Sequence, residues 1–129
     1  MKKLYVIALI PLLTTSSLAG DLARSFKQAV AQADAQPTDR ATRIYDKIDL
    51  ADYYQKKYIS VFQSCLKSTD ETSPLSFVAA IGADGRVLQL YADHETKMLT
   101  CVRPRLLKDE FPHPPFAPYY MQITMNFSK

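Results

Sequence analysis

Tryptophan is absent from this chain, and glycine (3), histidine (2) and cysteine (2) are scarce. Each scarcity closes a class of function. With glycine only at Gly20, Gly82 and Gly85, the glycine-rich loops that cradle phosphates and dinucleotides cannot be built, and no G-x-S-x-G or H-E-x-x-H pattern occurs. With only His94 and His113, there is little material for a nucleophile beside a base or for a metal cluster. Asp93-His94-Glu95 comes nearest to one, but adjacent residues on an extended chain point to opposite faces, so it reads as a solvated turn. Charge of one sign is lacking too: 16 basic against 13 acidic side chains leave +3, too weak a field to argue for nucleic acid, and Arg103 and Arg105 are the only close arginine pair. Catalysis, metals, cofactors and nucleic acid are therefore not expected. Long apolar runs are missing as well. Leu4 to Leu13 holds about ten residues and is interrupted by Pro11, against the roughly 20 that cross a bilayer.

That short run sits behind Lys2 and Lys3 and is followed by Thr14-Thr15-Ser16-Ser17-Leu18-Ala19. The three-part pattern is that of a secretory signal peptide over residues 1–20, with cleavage near Ala19 or Gly20. No cysteine follows the small-residue site, so lipid attachment is not expected, and the mature protein should be a soluble one of the periplasm. Removing two lysines leaves 14 basic against 13 acidic side chains, a net charge near +1. A chain of 129 residues, 47% apolar, makes one domain with a modest core that a covalent staple would help. Cys65 and Cys101 lie 36 residues apart and are expected to form a structural disulfide, which in the loop-entropy account removes unfolded-state freedom worth roughly 4 kcal/mol. Two free buried thiols are one alternative; a redox pair is the other, although the C-x-x-C spacing is missing.

Hydrophobic periodicity divides the mature chain. Leu22, Phe26, Ala29, Val30 and Ala33 fall at helical spacing, with Asp21 as a candidate cap. This thin stripe suggests a first helix loosely attached to a two-layer body. Pro37 and the polar residues around it make 36–46 read as a linker. Tyr54, Tyr58, Val61, Phe62 and Cys65 then mark a helix over 50–67, capped by Asp49, whose tyrosines pack rather than cage a ligand. A loop follows over 68–74. From Leu75 the period changes to two, and Gly82-Ala83-Asp84-Gly85 supplies the turn of a β-hairpin returning through Val87 to Tyr91. One acid without a series of alternating carboxylates does not make that turn a calcium loop. A third helix is expected over 100–110, capped by Thr100, with Pro104 near its start and Val102, Leu106 and Leu107 facing the sheet. The proline run from Phe111 to Pro118 forces an extended link. Tyr119 to Phe127 then alternates cleanly, with Tyr119, Met121, Ile123, Met125 and Phe127 on one face and Tyr120, Gln122, Thr124 and Asn126 on the other. The fold class that follows is α+β: a three-stranded antiparallel sheet, made as hairpin, helix and strand, packed against helices and preceded by one or two N-terminal helices. The organisation is a signal (1–20), an N-terminal helix and linker (21–46) and the α+β domain (47–129).

The order hairpin, helix, proline-bounded link and final strand resembles the C-terminal periplasmic domain of the TolA and TonB energy-transducing proteins, over about residues 54–128. The resemblance is carried by Phe77 to Leu88, by Cys101 on the following helix, by Phe111-Pro112-His113-Pro114-Pro115, and by the alternating strand ending at Phe127. It is closer to TolA, where a cysteine on the post-hairpin helix bonds to one near the first strand; Cys101 and Cys65 match those parts, although Cys65 falls on a helix here. The resemblance implies binding through a sheet edge to which a partner's extended segment adds as another strand. The transducers' spanning helix and long arm have no counterpart here, so the expectation is a free-standing module.

Two functions from different classes follow. The first is a periplasmic binding or adaptor protein that captures an extended peptide or another envelope protein along the last strand through Tyr119, Tyr120, Gln122, Thr124 and Asn126, since an edge strand displays unpaired N–H and C=O groups. The alternative is a small exported inhibitor or immunity protein that blocks a toxin or enzyme.

Overall fold

The computed structural model describes residues 21–69 and 73–126. The expected signal peptide, loop residues 70–72 and Phe127 lie outside the described residues. In chain order the elements are α1 (Phe26–Asp34), α2 (Arg40–Ile44), a π-helical stretch (Tyr45–Leu50), α3 (Ala51–Thr69), β1 (Leu75–Ile81), β2 (Val87–Ala92), α4 (Lys97–Lys108) and β3 (Tyr119–Met125). The class is α+β, with an open three-stranded antiparallel sheet in the order β2-β1-β3.

Three helix starts differ from the sequence reading, each because a different side chain reaches the open N–H groups of a first turn. Ser25, not Asp21, caps α1 by accepting from the Gln28 N–H. Asp39 accepts from the Thr42 N–H and starts α2 inside the supposed linker, and helical structure then continues to Thr69, leaving Asp49 within the π-helical stretch rather than at a cap. Here the buried positions run Thr42, Tyr45, Leu50 and then Tyr58. The five-residue step from Tyr45 to Leu50 suits a wider turn and breaks the 3.6-residue period, which is why the stretch looked irregular. Thr96, not Thr100, caps α4 by accepting from the Leu99 N–H. Pro104 therefore stands well inside that helix, where the carbonyl it deprives of a partner belongs to Thr100, an exposed residue. Met98, Leu99, Val102 and Leu106 form the buried stripe, while Leu107 is exposed.

β1 is the centre of the molecule. It pairs with β3 in unbroken register from Leu75↔Met125 to Ile81↔Tyr119, and with β2 through a hairpin whose register shifts between Ala80 and Ile81. Leu75, Phe77, Ala79 and Ile81 join the core shared with α3 and α4. Val78 and Ala80, on the other face, pack with Ala29, Tyr91 and Tyr120, and with Leu22, Phe26, Val30 and Ala33 around them. The sheet is thus covered on both faces, and α1 is a third layer rather than a loose appendage. Its anchor is a pair of hydroxyls: Tyr120 accepts from the Ala23 N–H at 3.1 Å and Tyr91 donates to the Ala23 carbonyl at 2.6 Å. A fully buried Phe77, Leu75, Ile81, Leu99 or Leu106 contributes about 1.5–3 kcal/mol. Cys65 of α3 and Cys101 of α4 are bonded, with Cα atoms 5.8 Å apart, stapling the two helices that cover one face.

Candidate functional site: the outer edge of β3

Which backbone groups of β3 are free follows from the hairpin side. The Asp93 N–H donates to the Ser76 carbonyl, so the even residues of β1 face β2 and its odd residues face β3. In an antiparallel pair the hydrogen-bonded positions alternate. Tyr119, Met121, Ile123 and Met125 therefore exchange bonds with β1, and Tyr120, Gln122 and Thr124 turn their N–H and C=O groups outward.

At Tyr120 that outward position is already filled. The Gln36 side chain, two residues past α1, accepts from the Tyr120 N–H at 2.6 Å and donates to the Tyr120 carbonyl at 3.2 Å. One amide thus makes both bonds that a residue of a neighbouring strand would make. At Gln122 and Thr124 no partner for the outward backbone groups is present among the described residues. The edge is closed at one end and open along the rest.

The walls of the open part differ. Towards α3 lies a recess of about 390 Å³ lined by Leu50, Tyr54, Ile59, Met121 and Ile123. Towards α1 and α2 lies one of about 410 Å³ lined by Asp34, Thr38, Arg43, Asp46 and Lys47. Gln122 and Asp46 border both. Asp46 also accepts from the Tyr119 hydroxyl at 3.0 Å, fixing the π-helical stretch against the start of β3. Burial first, and the Asp46 carboxylate second, hold the Tyr119 phenol in its protonated, donating form well above the ordinary tyrosine range. Tyr54 donates to the Met125 sulfur at 3.2 Å, and burial pushes its phenol up to about 12.

The five residues expected to contact a partner separate into two groups. Gln122, Thr124 and Asn126 are exposed. Tyr119 and Tyr120 are buried, at 3% and 5% exposure. The Tyr119 ring packs edge-on against Tyr45 in the core, with centroids 4.8 Å apart, and the Tyr120 ring lies under α1 beside Tyr91. Tyr120 was expected to meet a partner on the face it shares with Gln122, Thr124 and Asn126. It does not, because the helix that reads as loose in the sequence covers that face. Gln36, Asp46 and Ile59 were missed, since only the three-dimensional fold brings them to β3.

The other edge, at β2, carries the register shift opposite Ala80 and Ile81, an irregularity that discourages further pairing. A titratable cluster around Asp109 lies elsewhere and is internally satisfied. Asp109 accepts from Tyr53 and Tyr58, each at 2.7 Å, and from Lys57 at 3.2 Å. Burial works against its charge, yet these donors and the Glu110 N–H outweigh burial and hold its carboxyl below the usual range. The cluster ties α3 to the end of α4. Of the histidines, His94 stands exposed beside Asp93 at 3.6 Å and His113 beside Glu110 at 3.7 Å, while Glu95 turns to Arg103 at 2.6 Å. Among the described residues no group of three potential metal ligands converges, and no helix is long and apolar enough to cross a membrane. Compared with known proteins, the chain matches no family model, no curated protein and no solved structure.

Proposed function

We propose that this chain is an exported, periplasmic protein-binding module of the TolA/TonB C-terminal type, which takes an extended segment of another envelope protein as a fourth strand beside β3. It binds and does not catalyse. The observation that carries the reading is the pair of outward-facing backbone positions at Gln122 and Thr124, because unpaired N–H and C=O groups on an edge are a template for another chain. Supporting it are the hairpin-helix-strand order and the Cys65–Cys101 bond, which suits an oxidising compartment.

Proline at either position tests it, since proline is tolerated on an edge strand whose N–H faces away from the sheet. In a pull-down from periplasmic extract, Gln122→Pro and Thr124→Pro are expected to lose the partners that the unaltered mature chain captures, while circular dichroism and the disulfide stay unchanged. Partners retained at full strength by both variants overturn strand addition. If what is retained is a single enzyme whose activity is blocked, the inhibitor reading takes its place.

A further inference from the structure

An added strand has two faces, and this edge receives them differently. Side chains alternate along a strand, so a segment laid against Gln122 and Thr124 sends every second residue towards α3 and those between towards α1 and α2. The first set meets a mainly apolar wall of Leu50, Tyr54, Ile59, Met121 and Ile123, with Gln55 and Asp46 at its border, in which Ile59 is 41% exposed and open to cover. The second set meets Asp34, Arg43, Asp46 and Lys47 beside Ala33 and Pro37, and charges of both signs there suit hydroxyl and amide side chains better than apolar ones. The kind of backbone group accepted is also visible, because the Gln36 amide already satisfies Tyr120 as a peptide group would.

Resting on the strand-addition reading above, we infer that the segment accepted by this edge is amphipathic, with apolar residues at every second position against α3 and uncharged polar residues between them. Its pairing begins after Tyr120, where Gln36 closes the edge. Neither a uniformly polar linker nor a uniformly apolar segment satisfies both walls.

The absence of tryptophan from the chain makes the test direct, because a single tryptophan in a peptide reports its own burial. The probe is a lysine-flanked synthetic peptide alternating threonine or glutamine with isoleucine, valine and one tryptophan. The control is an isomer of the same composition with its apolar residues consecutive. Both are titrated against the mature, oxidised protein and against Ile59→Lys and Thr124→Pro. The alternating peptide is expected to bind at least about tenfold more tightly than the isomer and to shift its fluorescence to the blue. Ile59→Lys, at an exposed helical position, is expected to weaken it by about tenfold while leaving the isomer unaffected, the size of effect that uncovering part of one apolar side chain gives.

Equal binding of the two peptides, abolished for both by Thr124→Pro, overturns the amphipathic preference and leaves strand addition standing. Binding of both that ignores Thr124→Pro overturns strand addition itself. Binding of neither overturns the inference, and so does a β3-paired dimer of this chain, seen by sedimentation and dispersed by Thr124→Pro, since the occupant would then be a second copy.

Discussion

At Gly85 the backbone takes a φ of +87°, and an added Cβ would collide with the carbonyl oxygen of Phe111. The same residue accepts from the Phe111 N–H at 2.8 Å. One hydrogen atom in place of a side chain therefore lets the hairpin turn and the chain leaving α4 touch, with Arg86 bridging Glu110 beside them. Gly85→Ala should be destabilising twice over, through the disfavoured φ and through the displaced backbone, by about 2–4 kcal/mol. A fall in the urea midpoint with unchanged m-value is the expected result; an unchanged midpoint would show that the contact gives way freely. The turn itself was legible in Gly82-Ala83-Asp84-Gly85 because glycine and aspartate state their local geometry. The contact with Phe111 was not, since nothing local to either residue indicates a meeting across 26 positions of chain.

Among the elements, α1 illustrates how far periodicity can be trusted. Its apolar stripe of Phe26, Ala29, Val30 and Ala33 was readable and is the face that packs on the sheet, yet a thin stripe says little about attachment. The attachment comes from Tyr91 on β2 and Tyr120 on β3, whose hydroxyls satisfy both polar groups of Ala23. Tyr91→Phe keeps the ring and removes the donor to a buried carbonyl, at a cost of about 1–3 kcal/mol. The loss should be local. Amide hydrogen exchange across Phe26–Asp34 is expected to quicken by roughly tenfold or more while β1 holds its protection; equal acceleration everywhere would mean that α1 and the sheet open together. β3 shows the complementary limit. Its alternation gave the strand and its register-bearing faces correctly, but alternation cannot say that both faces are covered at Tyr119–Tyr120 and only one further on. That distinction depends on Gln36 and the π-helical stretch, which reach β3 from more than 70 positions away in the chain.

For the molecule as a whole, stability should be bounded by proton equilibria on both sides. Burial raises the phenols of Tyr45, Tyr53, Tyr54, Tyr58, Tyr91 and Tyr119. A raised folded-state value favours the neutral form, so this contribution is complete below the unfolded tyrosine value near 10 and is lost as pH rises beyond it. Asp109 has the opposite sign: its depressed folded-state value gives stability that is present above the unfolded value of 3.8 and is lost as pH falls through the folded one. A plateau between these limits is expected in thermal melts, with cooperative alkaline unfolding accompanied by tyrosinate absorbance, and with the acid loss reduced in Asp109→Asn. Complete tyrosinate absorbance near pH 10 without any unfolding would contradict the burial of these six phenols.

β1 owes one of its two partners to the segment made last among the described elements. While the chain is being synthesised, Phe77-Val78-Ala79-Ala80-Ile81 can zip to β2 at once, but its second margin stays bare until residues 119–125 emerge. Any truncated form ending before them leaves the wholly apolar Phe77-Val78-Ala79-Ala80-Ile81 with an unpaired margin, the kind of segment that is prone to amyloid-like stacking. Whatever shields this segment until residues 119–125 have paired with it would therefore favour the yield of folded protein.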